Sequence, residues 1–280
     1  MVIVKYVNAQ QGQQTSVFFS QYPVFNRAEF AKFLADRGTS NVNTQTALLA
    51  YHENRGHIVQ IRRGLYASLP LRADPKTWRA DPYAIASHLA PDAVVGYHSA
   101  LAFWGKAYSS RSTLTYLTQR SNGRPFQYQQ TTYQPVRPPK RLIEKHRTQF
   151  DVKKERRGST INVTGLERTL VDVLDRPRVA GGWEEIWRSL ESIGYLDINT
   201  IIEYALLLGN ATTIAKVGFY LDRHKASLLI EDKKIEPLRR HRPRMPHYLE
   251  RSKQAGGALV PEWNLIVPHT LLDLSWEENL

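Results

Sequence analysis

The stretch whose reading decides the fold is FNRAEFAKFLADRGTSNVNTQTALLAYHENRGHIVQIRRGLYAS, residues 25–68. It opens on a helix start. Asn26 is a good N-cap, Glu29 three residues later can reach back to the cap's own N–H, and Phe25 with Phe30 sits at the positions of a hydrophobic staple. Phe30, Phe33 and Leu34 recur at helical spacing, and Gly38 supplies the left-handed residue that ends a helix. Thr39 to Val42 form a short linker. The next helix is predicted to take Asn43 as cap and to run through Arg55, with Ala47, Leu48 and Tyr51 on its packed face and Gly56 as terminator. Two helices joined by about four residues make a helix-turn-helix. Beyond it, His57 to Ile61 is rich in β-formers, Arg63-Gly64 can turn, and Leu65 to Ser68 returns, which predicts the hairpin of a wing. With a further helix starting near Ser16, the segment reads as a winged helix-turn-helix.

Outward from that core, RADPKTWRADP (residues 72–82) is polar and proline-bearing and reads as a linker. The boundary is expected near Arg72, giving a domain over 1–72 and a second over 73–280. In the second, Asp81 caps a helix to about Leu89, and another runs from Tyr97 to Trp104 and stops at Gly105. From Ser112 to Val163 the β-formers, broken by Asn122-Gly123 and Pro138-Pro139, predict a small antiparallel sheet. Thr164 to Leu174, Trp183 to Ile193, Ile198 to Leu208 and Ala211 to His224 read as helices. The tail after Ile235 reads as irregular, with Ala258 to Val267 available to close a sheet. The fold class is therefore α+β: an N-terminal winged helix-turn-helix followed by a mixed α+β C-terminal domain.

A chain of 280 residues exceeds the ~250 at which a single core stops growing, which agrees with two units. Its 38 Lys and Arg against 26 Asp and Glu leave a formal charge of +12, an excess that attracts polyanions. Nucleic acid is the first partner this implies. No run of about 18 apolar residues occurs and none follows a basic start, so the reading is a cytoplasmic protein with no membrane partner. With no cysteine, disulfides and thiolate metal sites are excluded.

A recognition helix reads base edges with its first turn and exposed face, which makes Asn43, Thr44, Gln45 and Thr46 the specificity candidates. Asn and Gln can each bind adenine bidentately. Capping and solvent exposure are the competing explanation for such residues at a helix start. Arg55 at the far end, with Arg62 and Arg63 at the tip of the hairpin, suits phosphate contact or a narrow minor groove. Basic residues also crowd 106–157 (Arg137, Lys140, Arg141, Lys145, Arg147, Lys153, Lys154, Arg156 and Arg157) and 239–253 (Arg239, Arg240, Arg242 and Arg244). Either run can extend a nucleic-acid footprint or be a solvated face. No catalytic, metal or cofactor site is read. His98-Ser99 lacks the glycine-flanked elbow of a nucleophile. Thr164 with Glu167 reads as a capping box, Arg168 with Asp172 as a helical pair, and the histidines include no paired ligand spacing.

Three blocks in this order carry a family resemblance: IVQIRRGLYAS (58–68); DPYAIASHLAPDAVVGYHSALAFWG (81–105); and VTGLERTLVDVLDRP (163–177), followed by GGWEEIWRSL (181–190) and LDINTIIEYALLLGNATTIAKVGFYLD (196–222). Together they resemble the AbiEi family, the antitoxin and transcriptional-repressor half of AbiE-type, type IV toxin–antitoxin systems. The resemblance implies a non-enzymatic repressor of its own operon. Its N-terminal domain would bind operator DNA at inverted repeats, through a recognition helix over Asn43–Arg55 and a wing over His57–Ser68. It also implies a C-terminal domain that counters a nucleotidyltransferase-like toxin, without a stable complex being required. Residues after Lys225 match no motif of that family. Competing readings are a winged-helix-targeted nucleic-acid-cleaving enzyme, for which Glu231-Asp232-Lys233 is the nearest cluster, a stand-alone regulator without a toxin, and a pure protein-interaction module.

Overall fold

In the computed structural model, which describes residues 15–74, 76–120, 123–145, 148–250 and 256–273, residues 15–21 form helix α1. Then come β1 (Val24–Asn26), α2 (Arg27–Ala35), α3 (Val42–Asn54), β2 (Ile58–Arg62), β3 (Leu65–Ser68) and α4 (Pro82–Leu89). The start of α2 has the expected form. Asn26 Oδ1 accepts from the Glu29 N–H at 3.0 Å, and Glu29 Oε2 accepts from the Asn26 N–H at 2.7 Å. That satisfies donors a helix start otherwise leaves orphaned. Phe25 and Phe30 are both fully buried, with ring centroids 5.9 Å apart. Phe18 packs on them at 5.0 and 5.2 Å, and Phe33, Leu34, Leu49, Ile58 and Tyr66 complete this core. One element goes beyond the sequence reading: β1, three residues long, pairs antiparallel with β3, so the sheet runs β1-β3-β2.

Helix α3 begins earlier than expected. Its cap is Asn41, whose side chain accepts from the N–H groups of Asn43 and Thr44. Asn43 is therefore inside the first turn. The phase turns Gln45, Leu49 and His52 inward, while Ala47 and Tyr51, expected on the packed face, are exposed. The His52 ring lies edge-on to Phe19 at 4.8 Å, and its Nδ1 is 2.9 Å from Nδ1 of His57. Burial, and then the nearness of His57, push the His52 imidazole down to about 4.

The chain forms two compact units. The first holds residues up to Ala93 with Gln127–Thr131 and Lys153–Asn162. Its limit falls after α4 rather than near Arg72, because α4 is tied to what precedes it: Arg62 Nη2 donates to the Leu89 carbonyl at 2.8 Å, and His88 Nε2 lies 3.6 Å from Glu29.

The chain continues through β4 (Val94–Val95), α5 (His98–Phe103), β5 (Thr113–Leu117), β6 (Phe126–Tyr128), β7 (Thr131–Val136), α6 (Lys140–Glu144), β8 (Asp151–Arg156) and β9 (Ser159–Thr164). Helices α7 (Leu166–Asp175), α8 (Pro177–Ala180), α9 (Trp183–Glu191), α10 (Ile198–Leu208) and α11 (Ala211–Arg223) follow. The end comprises α12 (Asp232–Arg240), β10 (His247–Tyr248), β11 (Gly257–Val260), β12 (Leu265–Pro268) and α13 (His269–Leu272). The six-stranded sheet has the order β6-β7-β5-β4-β9-β8. It is mixed rather than antiparallel: β5 pairs parallel with β7 and β4 with β9, while β4 and β5 are antiparallel. Alternation has period two in either arrangement, so the sequence does not distinguish them. Asn122 and Arg147, named above, lie outside the described residues, as do residues 251–253.

Two further expectations change. Gly165, not Thr164, precedes α7; the Thr164 hydroxyl bonds Thr169 instead, and Glu167 accepts from the Asp197 N–H. The described part of the tail also carries regular elements. Helix α12 contains Pro237, and β10, β11 and β12 form a sheet in which the expected Ala258–Val267 stretch pairs. Trp263, fully buried, lies against Gly218 of α11, where a Cβ would stand 2.1 Å from its ring.

The core of the second unit encloses a polar network. Arg168 Nε meets Asp172 Oδ2 at 3.1 Å, Arg168 also pairs with Asp151, and the Tyr204 hydroxyl donates to Asp172 at 2.7 Å. Burial is the larger influence on Asp172 and lifts its carboxyl above the ordinary range despite Arg168 and Tyr204. Nearby Tyr97 is fully buried at φ 55°, ψ −137°, and its hydroxyl has no hydrogen-bond partner among the described residues.

Arg168→Met strands the buried Asp172 carboxylate and the half-buried one of Asp151, and is expected to cost about 3–5 kcal/mol in urea unfolding. Tyr97→Phe removes only an unpaired hydroxyl, and its unfolding midpoint should match or exceed that of the wild type. His52 yields a pH test. Its folded value lies below its ordinary 6.5, so its contribution to stability is present above pH 6.5 and lost as pH falls toward about 4. Urea midpoints measured between pH 7 and 5 should therefore drop more steeply in the wild type than in His52→Phe; parallel curves would clear His52 of that role.

Candidate nucleic-acid interface

The geometry gathers around Arg27, the first residue of α2. Its backbone N–H donates to the Gly64 carbonyl at 2.9 Å, and its guanidinium donates to Thr46 Oγ1 at 2.7 Å. One exposed arginine thus joins the turn of the β2–β3 hairpin to the first turns of α3. Gly64 needs its φ of +79°, and open space surrounds the position of a Cβ, so backbone conformation alone requires glycine there.

The sequence-predicted residues divide on this frame. Asn43 is exposed in the first turn of α3, where Val42 beside it is 61% exposed. Thr44 is half-buried. Gln45 is 7% exposed, and its Nε2 donates to the Thr39 carbonyl at 3.1 Å, which fixes the linker rather than facing outward. Thr46 is exposed, with its hydroxyl donating to the Val42 carbonyl and accepting from Arg27. Ala47, Ala50 and Tyr51 extend the same exposed face, and Arg55 lies over the Tyr51 ring at 5.5 Å. Arg63 is exposed beside Gly64. Arg62 carries a structural bond instead, donating to the terminal carbonyl of α4, a group that has no partner within its own helix.

Sequence reasoning missed Arg27 and Asn41. A cap at Asn41 or at Asn43 satisfies the same rule, and the inward stripe of Gln45, Leu49 and His52 is set by packing on the aromatic core rather than by either cap. Arg27 carries no sequence signal of its own, since its role depends on the distant turn at Gly64.

A cavity of about 500 Å³ opens beside this site, lined in part by Asn26, Glu29, Ser87, His88, Gly158 and Asn162. Burial would lower His88, but hydrogen bonds to Glu29 and to the Ala84 carbonyl hold it above its ordinary value. Among the described residues no three His, Asp or Glu side chains gather as ligands for a metal ion, and no helix is long and apolar enough to cross a membrane. His98 and Ser99 serve packing: His98 Nε2 meets Glu185 at 3.0 Å, and Ser99 Oγ accepts from the Thr115 N–H.

No protein-family model and no curated protein matches the chain. Among solved structures it is similar to the crystal structure of the RV2827C protein from Mycobacterium tuberculosis, with a TM-score of 0.60 and 15% identity over 96% of this chain and 94% of that one. At that identity the likeness is one of fold.

Proposed function

We propose that the chain is an autoregulatory repressor that binds operator DNA through α3 and the β2–β3 hairpin, and that it serves as the antitoxin of an AbiE-like type IV toxin–antitoxin operon. The observation that carries the DNA-binding half is the Arg27 bridge, which holds the Arg63-Gly64 turn and the exposed turn at Thr46 to one residue. The order α1-β1-α2-α3-β2-β3 with sheet order β1-β3-β2 supports reading this unit as a winged helix-turn-helix, a motif whose second helix enters the major groove. Asn43 supplies a bidentate donor and acceptor for adenine, and Val42, Ala47 and Ala50 supply apolar contact for thymine methyl groups. Arg27 and Arg63 bind phosphate. The net charge of +12 supports the same reading. The antitoxin half rests on the resemblance of the blocks at 58–68, 81–105 and 163–222 to the AbiEi family.

Gel-shift titrations with a duplex from upstream of its own gene provide the test. Arg27→Ala with Arg63→Ala should lower the slope of log Kobs against log salt by about 2, at ~0.9 for each phosphate no longer neutralised. Asn43→Ala should cost about 1–3 kcal/mol on the operator and little on unrelated duplex; equal weakening on both would reassign Asn43 to the backbone. For the antitoxin half, co-expression should restore the growth of cells carrying the nucleotidyltransferase-like toxin of the same operon, and persistent arrest would leave a regulator alone.

A further inference from the structure

The β8–β9 hairpin turns at Arg157 and Gly158, both left-handed at φ 48° and 77°, the two-residue arrangement that suits a tight hairpin. Four of the ten residues Lys153–Asn162 are basic and one is acidic. Their environments differ. Arg156 anchors the tip: its Nε meets Asp81 Oδ2 at 2.8 Å, and its guanidinium lies over the Tyr83 ring at 4.8 Å. The same Asp81 caps α4 by accepting from the Tyr83 N–H. Gly158 approaches Pro23 so closely that a Cβ would stand 3.2 Å from its ring. Glu155 accepts from the Thr160 hydroxyl within the hairpin. Lys153, Lys154 and Arg157 all face solvent, Arg157 with 73% of its side chain exposed and only a 3.9 Å approach to Asp81.

Contacts at Arg156 and Gly158 anchor the backbone of the turn within the amino-terminal unit. Gly158 and Asn162 line the same cavity as Asn26 and Glu29, which places the tip on the flank of the α2 start that carries Arg27. Lys153 and Lys154, consecutive on β8, leave it on opposite sides; exposed cations on such a hairpin attract a polyanion and hold its backbone without reading its bases.

We propose that Lys153, Lys154 and Arg157 form a second DNA-contacting element, gripping phosphates that flank the segment read by α3. The assignment rests on the duplex-binding reading above and adds a footprint outside the helix and its wing. The competing role is protective: β8 ends the order of its sheet, and lysines on an edge strand deter pairing with other chains.

The test uses the full chain carrying Lys153→Gln, Lys154→Gln and Arg157→Gln together. The expected result is a fall of about 2 to 3 in the log Kobs against log salt slope, with affinity weakened by one common factor on operator and unrelated duplex, and a thermal midpoint equal to that of the wild type. Lys153→Arg with Lys154→Arg should keep the wild-type slope. Unchanged slope and affinity in the triple variant overturn the proposal, and new self-association alongside them assigns the lysines to edge protection. Weakening confined to the operator also overturns it, since phosphate binding is blind to sequence. A wild-type chain that shifts no duplex defeats the regulator reading itself, which keeps the two failures distinct.

Discussion

The first turn of α2 governs the amino-terminal unit. Asn26 and Glu29 close on each other's backbone N–H groups, Phe25 and Phe30 clamp the turn from the core side, and β1 delivers the chain to it in fixed register against β3. Each of these leaves Arg27 only one place to stand. Its backbone N–H then meets the Gly64 carbonyl while its side chain reaches Thr46. In the proposed duplex-binding role the two contact points need constant separation, and a short path through one helix start provides it with few rotatable bonds. The same helix start supplies Glu29 to His88 of α4, so α4 is coupled to the helix that carries the bridge.

Local chemistry was the legible part of the sequence. The capping box, the staple and the helical recurrence of Phe30, Phe33 and Leu34 depend on neighbours within a few positions, and the structure places them as expected. So it does for α10, whose bounds Ile198–Leu208 match the reading. What was not legible depended on partners distant in the chain. The start of α3 lay open between two asparagines, Asn41 and Asn43, and the burial of Gln45 depends on tertiary packing that no local pattern announces. Arg62 looked like a hairpin-tip cation because nothing nearby in sequence announces the Leu89 carbonyl. Helix α12 was hidden by Pro237, which stands in the helix interior and withholds one N–H there.

The second unit handles its polar groups differently. Arg168, Asp172, Asp151 and Tyr204 satisfy one another in the core, which gives that packing a unique arrangement that apolar side chains of similar size would not impose. Tyr97 stands beside this network in a sparsely populated backbone region, at a cost on the order of 1–3 kcal/mol that the surrounding structure must offset. Such a residue marks the β4–α5 turn as over-determined by its neighbours.

The order in which the chain visits its two units has an evolutionary corollary. It passes from one to the other at Ala93, returns for Gln127–Thr131, leaves, and returns again for Lys153–Asn162 before completing the second unit. A gene fusion that borrowed only the codons up to Ala93 would leave Asp81 without Arg156 and Pro23 without Gly158. The amino-terminal half of this architecture is therefore not a portable cassette. If α3 reads bases as proposed, new specificities would arise by substitution on its exposed face within an intact chain, rather than by shuffling of modules.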